Sequence, residues 1–192
     1  MSTRGFSTSI PRVMPKGFVV VDTETTGSEM NSRVIEIGMI FLSPRCTQQK
    51  TFSTLLFGNG TVGEWYVKRV HRIRQSELDG APQFKDIASS FLESLNGRIV
   101  FAHNASFDLK RINHELRLAR KPRVKSMACT IELGKHLGHG RLSLDKAVEK
   151  FDLFRQISHH ALHDAFATSQ LLRHYLSENP VGVREYLSSK NF

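Results

Sequence analysis

A chain of 192 residues with 40% hydrophobic content is ample for one domain with a full core and short for two. No apolar run approaches the roughly 20 residues needed to cross a bilayer, so a soluble protein is expected; Cys46 and Cys129 form no metal-like pattern, which speaks against a disulfide framework and fits a reducing cytoplasm, although two free thiols are compatible with other compartments. The formal charge of +9 draws polyanions to the surface and makes nucleic acid the expected partner, although charge alone equally describes a merely solubilising surface.

In chain order, Met1 to Lys16 carries Arg4, Arg12 and Lys16, two prolines, several hydroxyl residues and no acid. Residues 1–16 therefore read as a disordered tail; a transit peptide shares the composition, but no amphipathic pattern supports one. Phe18 to Asp22 reads as a buried strand, Arg33 to Leu42 as a second and Thr51 to Leu56 as a third, joined by turns at Gly27 to Asn31 and Ser43 to Pro44. Pro82 opens a helix through Leu95, with Phe84, Ile87, Ala88, Phe91 and Leu92 at helical spacing. Arg98 to Ala102 is a fourth strand leading into a helix over Asn104 to Ala119. A fifth extended piece near Val124 to Met127 precedes helical stretches at Thr130 to Leu137 and Leu144 to Phe151, and a last helix spans Leu162 to Leu176. A three-strand meander followed by alternating helices and strands predicts an α/β domain with a mixed sheet over residues 17–178, and residues 179–192 form a short extension.

Four acids occupy positions where an ordinary domain avoids negative charge. Asp22 and Glu24 close the apolar run Phe18-Val19-Val20-Val21. Asp108 shares a helical stripe with Ala105, Ile112 and Leu116, and Asp164 shares one with Ala167, Thr168, Leu171, Leu172 and Tyr175. Burying an unpaired carboxylate costs several kcal/mol, roughly, so each acid needs a cation. Separate Arg or Lys partners would serve any one of them. The coincidence of all four favours shared divalent ions, and hard oxygen donors without thiolates favour Mg²⁺ or Mn²⁺ over zinc. Glu36 is also on a strand, but alternation sets it opposite the flanking isoleucines, so it reads as structural and paired with Arg33.

The segments Asp22-Thr23-Glu24-Thr25-Thr26-Gly27 and His103-Asn104-Ala105-Ser106-Phe107-Asp108, and His159 with four residues between it and Asp164, resemble the DEDD exonucleases. The histidine spacing resembles the DEDDh branch, which includes proofreading epsilon subunits of bacterial replicative polymerases and stand-alone DNA and RNA trimming enzymes. The resemblance covers about Gly17 to Ser177. It implies a ribonuclease H-like mixed sheet flanked by helices and a metal-dependent 3′ to 5′ exonuclease that releases nucleoside 5′-monophosphates, from single-stranded DNA in the first reading. Trimming of RNA or oligoribonucleotides is the alternative. A non-catalytic nucleic-acid- or polymerase-binding module is the other class, and retention of all four acids and the histidine speaks against it.

By the same resemblance, Asp22, Glu24 and Asp164 bind one ion, Asp22 bridges to a second, and Asp108 supports that second site through water. His159 is implied as the general base; with His160 and His163 beside it the cluster also reads as a solvated basic patch, and His163, immediately before Asp164, points elsewhere on the helix and reads as peripheral. Implied substrate contacts are Thr25, Thr26 and Gly27, which serve equally as a plain tight turn, then His103, Asn104 and Phe107 at the terminal sugar and base, where Phe107 fits a core position as well, and His71. Arg72 follows His71 where the family usually has glycine. Lys68, Arg69, Arg72 and Arg74, and Arg117, Arg120, Lys121, Arg123 and Lys125, are candidate phosphate contacts. A DNA polymerase is a compatible partner, but the segment from Asn179 to Phe192 offers no extended tethering tail.

Overall fold

A computed structural model describes residues 16–29 and 31–192; apart from Lys16, the tail expected over residues 1–16 lies outside the described residues. Strands β1 (Phe18–Thr25), β2 (Val34–Leu42) and β3 (Gln48–Leu55) form the expected meander. Two short helices follow, α1 (Trp65–His71) and α2 (Gln75–Leu78), then α3 (Phe84–Leu95), β4 (Ile99–Ala102) and α4 (Ala105–Leu118). The chain continues through β5 (Ala128–Cys129), α5 (Thr130–His136), α6 (Leu144–Lys150), α7 (Ala161–Glu178) and α8 (Pro180–Ser189). Among the described residues the sheet order is β3-β2-β1-β4-β5. β1 is antiparallel to β2 and parallel to β4, so the sheet is mixed.

Alternation along β1 divides the core. Val19 and Val21 face a layer containing Phe84, Ala88, Ile112 and Leu116 of α3 and α4, while Phe18 and Val20 face Ala165, Leu171 and Leu172 of α7. β1 is thus covered on both sides, which explains its continuous apolar run. Each fully buried Val or Leu contributes roughly 1.5–3 kcal/mol. This sandwich fixes the height at which α4 and α7 cross the end of β1.

Two elements differ from expectation. The extended piece at Val124 to Met127 does not pair; the strand is Ala128–Cys129. Asn113 of α4 accepts from the Val124 N–H (2.8 Å) and donates to the Val124 carbonyl (3.0 Å), so the backbone groups a ladder would need are already used. The segment after Asn179 is a packed helix: Asn179 caps α8 by accepting from Gly182 N–H at 2.8 Å, and Val183, Tyr186 and Leu187 join the α7-side core. No helix among the described residues is long and apolar enough to cross a membrane.

Candidate active site

The acids converge where β1 ends. The pairing of β1 with β2 is irregular between Glu24 and Thr25, a local departure of the kind that releases a strand from its ladder beside a site. By alternation Asp22 and Glu24 point to the α7 side and Thr23 to the α4 side. Each helix then delivers one carboxylate. From α4, Asp108 is 3% exposed and accepts a hydrogen bond from the Thr23 hydroxyl at 2.8 Å. From α7, Asp164 is 5% exposed, and ligand atoms of Glu24, His159 and Asp164 all lie within 4.8 Å of one another.

A glycine lets α7 come this close. Gly38 on β2 stands opposite Asp22 in register, and a Cβ there would lie 2.4 Å from backbone atoms of Ala161 and Leu162. The first turn of α7 thus rests on bare backbone beside Asp22. Glu36, two residues earlier, receives the Ala161 N–H at 3.1 Å and lies 3.2 Å from His160 Nδ1. It therefore anchors the start of α7 and is not Arg33's partner, as alternation alone suggested. Arg33 pairs with Glu115 of α4, at 2.7 and 2.9 Å through its fork of N–H groups. These two anchors hold both acid-bearing helices to the edge of β2.

The electrostatics are uneven. Asp164 accepts two hydrogen bonds from Arg155, 2.6 and 2.7 Å, and Arg155 also reaches the exposed Asp145. Asp22, Glu24 and Asp108 form no salt bridge among the described residues. Burial, then repulsion from Asp108, Asp164 and Glu24, raises the Asp22 carboxyl well above its ordinary range. Burial, then Asp164 and Glu36, pushes Glu24 up to about 8. Burial raises Asp108 to about 7 against the opposing Thr23 hydrogen bond. Three acids that resist ionising beside one another, all with hard oxygen donors, fit a centre for divalent cations.

His159 lies at the mouth and is exposed. Its backbone is left-handed, φ 58°, uncommon outside glycine and a feature that collects at functional sites. In this conformation its N–H donates to Asp164 Oδ2 at 3.2 Å, so main chain and carboxylate fix the ring's starting point. His163 stacks on His160 with centroids 4.3 Å apart, a pairing separate from the acids.

The expected substrate contacts divide. Asn104 is exposed and left-handed at the head of α4, φ 61°, and Phe107 is half-buried under the Arg111 guanidinium at 4.9 Å. The Thr25 hydroxyl donates to Gly27 carbonyl at 2.7 Å and the Thr26 hydroxyl accepts from Arg33 N–H at 2.9 Å, so both side chains shape the turn. His103 bonds Thr130 at 2.9 Å, and burial lowers its imidazole to about 4. His71, expected as a substrate contact, is 6% exposed, with Nε2 3.1 Å from the Val62 carbonyl and Nδ1 accepting from Ile73 N–H at 3.0 Å. Both ring nitrogens are consumed by the loop. Arg72 beside it takes a left-handed conformation, φ 61°, that a glycine would adopt without strain.

Sequence reasoning missed Thr23, Gly38 and Arg155. Thr23 sits between the two motif acids and Gly38 interrupts a β-branched strand, a known mark of close backbone approach. Arg155 lies in an irregular stretch with no periodicity to place it.

The chain's likenesses agree with this geometry. The family model RNase_T, described as an exonuclease, matches residues 19–172. DNA polymerase III subunit epsilon of Buchnera aphidicola subsp. Acyrthosiphon pisum is 33% identical over 168 residues, 82% of this chain and 70% of that one. The Aquifex aeolicus protein of the same name is 29% identical over 90% of this chain and 88% of its own. Among solved structures, Exonuclease X in complex with 5′ overhanging duplex DNA superposes with a TM-score of 0.68 at 22% identity, covering 85% of this chain and 93% of that chain. The likeness to that structure is one of fold.

Proposed function

As a member of the RNase_T exonuclease family, whose model spans residues 19–172, the chain is a metal-dependent 3′–5′ exonuclease, and we propose that it releases nucleoside 5′-monophosphates from single-stranded DNA. The observation that carries this reading is the meeting of Asp22, Glu24, Asp108 and Asp164 at one strand end, three of them without a salt bridge among the described residues. DNA is preferred to RNA because the relatives at about a third identity are DNA polymerase subunits. On the same ground a DNA polymerase is the proposed protein partner, and the cytoplasm the proposed location.

Divalent cations at the four carboxylates, Mg²⁺ or Mn²⁺, would neutralise charge at the scissile phosphate and stabilise the leaving 3′ oxygen. The chain's own groups orient and move protons. Thr23 holds Asp108 from the α4 side and Arg155 holds Asp164 from the α7 side. His159, anchored through its N–H to Asp164, takes the proton of the attacking water with its exposed imidazole. Asn104 and Phe107 flank the terminal sugar and base, and the Thr25–Gly27 turn presents backbone groups to the same nucleotide.

The test is a time course on end-labelled single-stranded DNA and RNA of matched sequence, with Mg²⁺ or Mn²⁺ and with excess chelator. Stepwise loss from the 3′ end, abolished by chelation, blocked by a 3′-terminal phosphate and indifferent to a 5′ block, is expected. Circular single strands should survive. Undiminished cleavage in chelator, or sensitivity to the 5′ block instead, overturns the mechanism; faster loss of RNA overturns the substrate.

A further inference from the structure

Helix α1 exposes what a short helix ordinarily hides. Trp65 is 67% exposed, Tyr66 47% and Val70 40%, and large apolar groups exposed close together mark interaction sites. The indole and phenol rings stand edge to face at 6.0 Å. After the N-cap Glu64 the charged residues of this helix are cations: Lys68 and Arg69 in the last turn, then Arg72 at the C-cap. Arg69 sits one turn beyond Trp65 with its guanidinium 5.8 Å from the ring centroid.

This face is adjacent to the site. Gly63, two residues before Trp65, has φ +87°, and a Cβ there would lie 2.1 Å from the Thr26 carbonyl oxygen. The helix therefore starts against the turn that follows Glu24, and Trp65 is at most about 7 Å of chain from that contact. The other end is tied down too, by His71 bridging Val62 and Ile73, while Val62 packs with Ile35 and Leu78. The aromatic pair is thus displayed on a helix anchored at both ends, beside the mouth of an acidic site.

We propose that α1 is a stacking platform for the bases immediately 5′ of the scissile linkage, Trp65 and Tyr66 contacting base faces and Lys68, Arg69 and Arg72 the phosphates between them. The inference rests on the exonuclease reading and adds where the strand lies. The occupant is single-stranded: bases in a duplex are stacked on each other and offer no faces, whereas an unpaired strand offers both the π-faces and the negative charge that this surface complements. Aromatic stacking tolerates every base, so the platform grips without sequence preference.

Trp65 is the sole tryptophan, which makes its fluorescence a direct reporter. Titrating the 192-residue protein with oligothymidylate in excess chelator should quench that emission saturably, at the midpoint seen by anisotropy of a labelled strand. Trp65→Ala should weaken binding by roughly tenfold, the usual scale for one stacked base, and Trp65→Phe should restore most of it. Lys68→Glu should flatten the salt dependence of binding. Val181→Ala, an exposed apolar residue on α8, serves as the control expected to bind as wild type. Tight binding and 3′ hydrolysis without a change in emission, or wild-type affinity in Trp65→Ala, overturns the platform while leaving the exonuclease intact. A quench given by blunt duplex but not by the single strand overturns it as well. Absence of both binding and hydrolysis in the wild type defeats the exonuclease reading along with it.

Discussion

Asp164 and Asp22 face each other across the site and live in opposite electrostatic conditions. Asp164, on α7, is clasped by Arg155 through two hydrogen bonds and receives a backbone N–H from His159. Asp22, on β1, has no salt bridge among the described residues and is raised well above its ordinary range by burial and by Asp108, Asp164 and Glu24. The protein has given an ion-pair partner to the acid on α7 and none, among the described residues, to the two acids of β1 or to Asp108 of α4, which is held by hydrogen bonds. The unbalanced half is where an external cation gains most. Metal binding and strand geometry are coupled there, whereas the α7 half is preassembled.

The largest effect should come from breaking the bare half. Asp22→Asn keeps the size of the side chain and removes its charge, so kcat should fall by roughly 10³ or more, about 4 kcal/mol in barrier. The same change relieves repulsion among buried carboxylates. In calorimetry without metal the variant should melt no lower than wild type, and the stabilisation that Mg²⁺ gives wild type should vanish. A variant that keeps the Mg²⁺ stabilisation and turns over normally would remove Asp22 from the centre.

His159 tests whether the preassembled half does chemistry beyond holding Asp164. His159→Ala should lower kcat by roughly 10² to 10⁴, the range for a positioned base, with folding and the Mg²⁺ shift retained. His163 touches only His160 in this cluster, so His163→Ala should cost far less. His160→Ala falls between them, because it removes the contact to Glu36 at 3.2 Å and loosens the start of α7. Equal losses in all three would assign the cluster to substrate binding instead.

Arg155→Ala converts Asp164 into the condition of Asp22. Removing one partner of a buried pair leaves an uncompensated charge, and near pH 8 the cost in metal-free protein should be roughly 3 kcal/mol, a fall in Tm of roughly 6–12 °C for a domain of this size. Mg²⁺ should recover part of that loss. A drop unaffected by Mg²⁺ would mean that the guanidinium supports packing rather than charge balance.

This asymmetry was half legible in the sequence. Asp22, Glu24, Asp108 and Asp164 stood out because each violates an apolar pattern, and local patterning also carried the meander and the acid-bearing helices. Arg155 was invisible, since it pairs across nine positions from a segment without helical or strand period. Glu36 was placed but given the wrong partner: alternation says which face a strand residue occupies, not which helix end will descend onto that face. The closeness of that descent is set by the missing Cβ of Gly38, a steric fact with meaning only once α7 is in place. The burial of His71 was illegible for the same reason, because it depends on the loop that the ring bridges.

Without metal the bare half should also make the protein sensitive to base. Glu24 keeps its proton up to about 8 when folded but releases it near 4.5 when unfolded. Between those values the folded state holds more protons, so stability falls as pH rises, by roughly 2 kcal/mol after allowance for relaxation around the group. Saturating Mg²⁺ should flatten that slope. Denaturant melts at several pH values with and without Mg²⁺ measure both, and a metal-free stability that climbs from pH 5 to pH 8 would contradict the picture of unrelieved carboxylates.

The smallest effect should come from Thr23, the lone support of Asp108 from β1. Thr23→Val preserves shape and β-branching while deleting the hydroxyl that donates to Asp108 Oδ1 at 2.8 Å. The loss in stability should be about 1 kcal/mol, the net value of one hydrogen bond. Its direction on ionisation is more telling. That bond favours the charged form and lowers Asp108 against the burial that raises it to about 7, so its removal should push the carboxyl higher still. Mg²⁺ would then have to displace a more tightly held proton, and the pH at which Mg²⁺ half-saturates the protein should move upward. Asp164 has no such dependence on Thr23, so Thr23→Val made in an Asp164→Asn background should still move the midpoint upward. A Thr23→Val protein with the wild-type pH midpoint for Mg²⁺ would place Asp108 outside the cation centre and leave its burial to be explained by packing alone.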